Sequence, residues 1–193
     1  MAVVAAVIVG VLTIALIGTI IYLNRPQAGP PTVAGVPCDQ LEHTQVHYHA
    51  ALQILYNGNV VNLPDNVGIQ YDSTGTNVSC YYWLHVHAAN KNTIHIESPR
   101  SETFTLGQFF DVWNAWSQRN GHGAVNFDSK HVATLPITAD EKVVTYIDLQ
   151  DGKGPQVYNG DPKSIVFKNH EVISIVITPP DTKPPAFTFA TGL

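Results

Sequence analysis

The sequence predicts an α+β chain: a single N-terminal transmembrane helix, then a mostly antiparallel β domain, β-grasp-like or sandwich-like, with one packed helix. Three observations predict it. Residues 2–23 carry no charged side chain. Several downstream segments alternate apolar and polar residues with period two and are punctuated by turn dipeptides such as Asn57-Gly58. One later segment, from Thr105 to Asn120, carries apolar residues at helical spacing instead. The order hairpin, hairpin, helix, further strands belongs to α+β architecture rather than to alternating βαβ units.

Four parts follow in order. Residues 1–24 are expected to form the transmembrane helix, because 22 apolar residues at the helical rise span about 33 Å, enough for a bilayer core. The basic start of a cleaved signal peptide is missing. Ala2, Ala6 and Gly10 recur every four residues, a small-residue stripe that permits close helix packing; a plain anchor is the other reading. Residues 25–37 are expected to be a Pro-rich linker (Pro26, Pro30, Pro31, Pro37), residues 38–178 an extramembrane His-rich β domain, and residues 179–193 a Pro-rich tail.

Within the domain, residues 46–56 read as a strand that returns over 59–63 through Asn57-Gly58. A short strand is expected over 67–71, and a second hairpin pairs 81–87 with 93–97. Thr105 and Gln108 make a capping box, with Phe104 and Phe109 placed as a hydrophobic staple. Leu106, Phe109, Phe110 and Trp113 form the buried stripe of the helix, and Asn120-Gly121 ends it. Residues 121–138 read as an irregular connection, 142–149 as a strand and 157–162 as a turn. Residues 164–168 and 171–177 read as a final hairpin across Asn169-His170.

Composition bounds the function. Charged residues make up 13% of the chain, against about 25% in a typical soluble domain. The apolar first segment accounts for part of that shortage, and the rest points to a surface covered by a partner. The net charge is −5 and no basic cluster is present, which argues against nucleic acid as a partner. The two cysteines, Cys38 and Cys80, are expected to pair in an oxidising compartment, a bridge worth about 4 kcal/mol in the chain-entropy model. Two free buried thiols are the alternative. Together these features predict a single-pass membrane protein with its C-terminal domain periplasmic or otherwise extracytoplasmic.

The chemistry concentrates in His47-Tyr48-His49, His85-Val86-His87 and His95-Ile96-Glu97. In a strand, residues i and i+2 share a face. His47 and His49 therefore lie opposite Tyr48, Ala50, Leu52 and Ile54. His85 and His87 lie opposite Tyr82, Leu84 and Val86, and His95 and Glu97 lie opposite Ile94 and Ile96. If the three strands share a sheet, five imidazoles and a carboxylate gather on one surface, with His85 facing His95.

Neutral imidazoles at such spacing suit a copper or zinc ion, held at one site by His47, His49, His85, His87 and His95. Glu97 is a further ligand or an outer carboxylate that orients a ligand imidazole. A polar contact face without metal is the competing reading. Methionine occurs only at position 1, and neither HExxH nor CxxCH is present, so thiolate-free, all-histidine ligation remains. No nucleophile constellation or Gly-rich phosphate loop stands out, so no catalytic residue is assigned. His43 precedes the first strand, and His122, His131 and His170 read as ordinary polar residues.

The stretches WLHVH, IHIESP and FTLGQFFDVW, with EHxxxHxH after a cysteine, resemble a little-characterised family of bacterial and archaeal exported or membrane-anchored domains. The resemblance covers about residues 38–178. In that family the turn between WLHTH and IHIE is short and carries an acidic residue and a Gly; here it is Ala88-Ala89-Asn90-Lys91-Asn92. The overall layout also looks like an accessory subunit of a photosynthetic or respiratory membrane complex. The expected function is therefore a structural accessory subunit that carries a histidine-bound transition metal, with the membrane and other transmembrane subunits as partners. The alternative is a copper- or zinc-handling protein or metalloenzyme.

Overall fold

A computed structural model describes residues 2–23, 31–178 and 182–193 of the 193-residue chain. The chain forms two compact units, Met1–Pro30 and Pro31–Leu193. The first contains helix α1 (Ala2–Leu23), whose side chains are described at Gly10 and over residues 12–22. Among the described residues, no helix is long and apolar enough to cross a membrane. This corrects the expected transmembrane helix over 1–24 and the single-pass membrane localisation drawn from it. Ala2 and Ala6 of the small-residue stripe lie outside the described side chains, and a Cβ added at Gly10 would meet nothing within 4 Å.

The second unit is mostly β. Its elements are β1 (Thr32–Val33), β2 (Val36–Asp39), β3 (Val46–Tyr56), β4 (Asn59–Val61), β5 (Ile69–Tyr71), β6 (Val78–Tyr82), β7 (Leu84–His85) and β8 (Thr93–Ser98). Helix α2 (Leu106–Arg119) follows, then β9 (Asn126–Phe127), β10 (His131–Ala133), β11 (Leu135–Pro136), β12 (Lys142–Asp148), β13 (Gln156–Tyr158) and β14 (Val172–Thr178). The largest sheet runs β13-β12-β14-β3-β8-β7, with β4 pairing the C-terminal half of β3. A second sheet runs β1-β2-β6-β5, and β9, β10 and β11 make a small third one. The central pair β3–β14 is parallel, from Val172 opposite Ala51 to Ile177 opposite Tyr56, and it interrupts an otherwise antiparallel order.

Residues 31–37, expected to be linker, enter this fold. Ala34 (φ 49°) and Gly35 (φ 80°) supply the two left-handed positions of a primed turn that closes the β1–β2 hairpin. Cys38 and Cys80 form a disulfide with a Cα–Cα distance of 5.4 Å, tying β2 to β6. Helix α2 begins as its sequence dictates: the Thr105 hydroxyl accepts from the Gln108 backbone N–H, while the Gln108 side chain accepts from the Thr105 N–H.

The final hairpin does not form as expected. Val172–Thr178 is a strand, but its antiparallel neighbour is β12. The backbone of residues 165–167 is committed elsewhere. Ile165 O accepts from Leu106 N–H and Phe167 N–H donates to Phe104 O, so this segment caps the start of α2.

One face of the large sheet meets the helix. Ala50, Leu52 and Ile54, Ile94 and Ile96, Leu84, and Ile173, Ile175 and Ile177 pack with Leu106, Phe109, Phe110, Trp113 and Trp116 into one core. Each of these strands sends its alternate residues to the other face, so the histidines stand on the side of the sheet away from α2. In the tail, Phe189 lies against the His170 ring (4.9 Å) and against Phe187 (5.0 Å).

Candidate metal centre

The register of three strands brings the histidines into one row. On β3 and β8, His49 lies opposite His95 and His47 opposite Glu97. On β7 and β8, His85 lies opposite His95. His95 therefore stands in the middle with an imidazole on each side, ring centroids 4.5 Å from His49 and 5.3 Å from His85. His87 follows His85 by two residues and closes over the same ring, 4.5 Å from His95.

The donor atoms pair off. His47 Nε2 lies 3.1 Å from His49 Nε2, and His85 Nε2 lies 3.1 Å from His87 Nε2. Glu97 Oε1 sits among them, 3.3 Å from His47 Nε2, 3.4 Å from His95 Nδ1 and 3.9 Å from His85 Nε2. The Nδ1–H of His85 donates to the Tyr82 carbonyl at 2.8 Å. That bond fixes the tautomer and turns the Nε2 lone pair toward the cluster.

Glu42 joins them and was not singled out in the sequence. Its Oε1 lies 2.8 Å from His87 Nε2 and 3.4 Å from His85 Nε2. The loop that carries it is anchored just before, at Asp39, whose Oδ2 accepts from Trp83 Nε1 (2.8 Å) and lies 2.7 Å from His43 Nε2. The signal was present as the Glu of EHxxxHxH, five residues ahead of His47. Strand periodicity does not reach into a loop, so only the fold shows where that carboxylate points.

Three triads bring their ligand atoms within 4.8 Å of one another: His47, His49 and His95; His85, His87 and His95; Glu42, His85 and Glu97. Buried His49, His85, His95 and Glu97, with half-buried His87 and exposed His47 and Glu42 beside them, could hold a metal ion. Among the described residues, the buried side-chain polar atoms without a hydrogen-bond partner are His95 Nδ1, His95 Nε2 and Glu97 Oε2. All belong to this cluster. A buried polar atom left unpaired costs about 1–3 kcal/mol, so such atoms concentrated at one point fit a site that takes a bound ion or water.

The electrostatics favour ligation. Burial, with neighbouring imidazoles adding to it, holds His49 down at about 4. Burial likewise lowers His87 and His95. All three are neutral at physiological pH, the form that binds metal. Hydrogen bonding and charge from His85 and His87 hold the Glu42 carboxyl down at about 2, against the opposing effect of its own desolvation. Glu97 is also lowered: its own burial, the largest single influence, pushes upward, but His95, His85 and His47 together outweigh it. Both carboxylates are therefore anionic at physiological pH, and carboxylate oxygens beside imidazole nitrogens are a donor set matched to a divalent cation.

The remaining histidines stay out of the cluster. His43 is held at Asp39, His122 stacks on Trp116 with centroids 5.4 Å apart, His131 lies 3.3 Å from Asp128 and His170 bonds the Leu193 carbonyl. Cys38 and Cys80 are consumed by their disulfide, so neither offers a thiolate. No family model, curated protein or solved structure matches this chain.

Proposed function

We propose that the unit Pro31–Leu193 is a histidine-ligated transition-metal domain of an oxidising compartment, and that its ion is zinc or copper. The observation that carries this reading is His95: a ring 5% exposed, both nitrogens unpartnered, set between two imidazole pairs. A set of nitrogen and carboxylate donors without thiolate or thioether suits Zn²⁺ or Cu²⁺. The Cys38–Cys80 disulfide is compatible with an extracytoplasmic location.

The side chains of His47 and His87 are 41% and 30% exposed, so the cluster has a side open to solvent. Structural metal sites are characteristically closed, whereas sites that bind water or exchange an ion keep a position open. That exposure favours a metal-handling or metal-activated role over an ion that merely stiffens an accessory domain.

The test strips the full-length chain with chelator, reloads it with Zn²⁺ or Cu²⁺, removes excess ion and measures metal content. At least one ion retained per chain, with retention reduced in a His85→Ala/His87→Ala double variant that still folds, is the expected result. No retained ion of either kind would overturn the reading.

A further inference from the structure

We infer that this face binds two ions and that His95 bridges them, one through each ring nitrogen. The inference rests on the reading of the face as a metal centre and goes beyond it in stoichiometry and in the role of one residue.

The donors arrive as two chelating pairs rather than as one shell. Two nitrogens held at 2.0–2.1 Å on a tetrahedral ion lie about 3.3 Å apart. The 3.1 Å separations of His47 from His49 and of His85 from His87 both match that spacing. The pairs sit on opposite sides of β8, one on β3 and one at and just beyond β7. A single tetrahedral ion that took one pair and His95 would leave the second pair gathered around nothing.

His95 is the member common to both histidine triads. An imidazole that binds one ion ordinarily uses its second nitrogen to donate to a carboxylate or a carbonyl. His85 does this toward Tyr82 O. His95 Nε2 has no such partner, and Nδ1 has only the long 3.4 Å approach of Glu97 Oε1, itself a candidate ligand of the first ion. A buried ring with one free nitrogen and the other met only by a candidate metal ligand, set between two chelating pairs, is what a bridging ligand requires.

Glu42 accompanies His85 and His87, and Glu97 Oε1 lies nearest His47 at 3.3 Å while standing 3.9 Å from His85 Nε2, between the two pairs. One ion would take His47, His49, His95 and Glu97; the other would take His85, His87, His95 and Glu42. Binding through both nitrogens displaces the ring proton of His95, which leaves to the buffer as the second nitrogen–metal bond forms. No oxidation state changes. Two divalent ions against one imidazolate and two carboxylates leave a net charge of +1, which the open side can neutralise with a bound anion or hydroxide.

The experiment loads the stripped full-length chain with increasing Cu²⁺ and records metal content and the electron paramagnetic resonance spectrum together. Saturation at two ions per chain, with the isolated-copper signal replaced by that of an exchange-coupled pair, is expected. In a His95→Ala variant the coupling should vanish while isolated-copper signals remain. Because that variant could lose its fold, the wild-type spectrum decides the matter on its own. Saturation at one ion, or at two ions with uncoupled spectra, overturns the bridge and leaves the metal-centre reading standing. Failure to retain any Cu²⁺ or Zn²⁺ overturns both.

Discussion

Gly68 presses against the strand that presents His85. A Cβ built at Gly68 would lie 2.5 Å from the Leu84 carbonyl oxygen and 3.0 Å from the His85 Cβ, and Gly68 has a φ of 80°. Its neighbours pin that strand: Gly68 O accepts from Tyr82 N–H and Val67 O from Val86 N–H. Gly68→Ala must shift backbone rather than a flexible side-chain end. We expect a loss of about 1–3 kcal/mol in stability, read by urea denaturation, and at least tenfold weaker Zn²⁺ binding by competition with a chromophoric chelator. Unchanged affinity would show that the position of His85 does not limit the site.

Glu42 supplies a test that spares the fold. Its side chain is 40% exposed and its carboxylate faces His85 and His87. Glu42→Gln keeps the shape and removes the charge. Metal affinity should fall about 10- to 100-fold, while the thermal midpoint of the metal-free protein changes little. A large drop in metal-free stability would instead assign Glu42 a structural role.

Glu171 sets a pH dependence independent of metal. The residue is 1% exposed, and burial pushes its carboxyl up from 4.5 to about 7, against the opposing bond from the Lys168 backbone N–H. The folded state favours the neutral acid. Its contribution is therefore complete below about pH 4.5 and is lost as pH rises through about 7. Glu171→Gln should match wild type near pH 4 and exceed it above pH 7.5 by up to about 3 kcal/mol. Paired urea titrations at the two pH values check this, and equal stability at both would refute it.

The disulfide joins Cys38 to Cys80 across 42 residues. A Cys38→Ser/Cys80→Ser variant should lose about 4 kcal/mol by the chain-entropy estimate. Guanidinium denaturation of the wild type with and without reductant should show the same difference.

The histidine face was legible because period-two alternation is a local rule: HVH, IHIE and HYH each declare which residues share a side. The capping box of α2 was legible for the same reason, since its partners are three residues apart. The fate of residues 164–168 was not, because the groups that take their backbone bonds, Phe104 and Leu106, lie about sixty positions earlier in the chain. Glu42 was missed because a loop residue acquires its direction from tertiary anchors, here Asp39 held by Trp83. The burial of both faces of β3, from His49 to Leu55, was masked by a sequence that reads as one-sided. Charge scarcity and an apolar N-terminal run suggested a membrane span, yet no helix among the described residues meets the length and apolarity to cross one.

The parallel pairing of β3 with β14 bears on how the chain is made. Ala51 and Val172 are neighbours in the sheet, yet about 120 residues separate them in synthesis. At about 5–20 residues per second, β3 waits on the order of ten seconds with one edge unpaired. Through that interval it offers open backbone donors and acceptors beside Leu52, Ile54 and Leu55, the features that recruit a neighbouring chain. The nascent protein is accordingly most exposed to misassembly before its last strand emerges. Truncations that end short of Val172 should accumulate as aggregates rather than as soluble fragments.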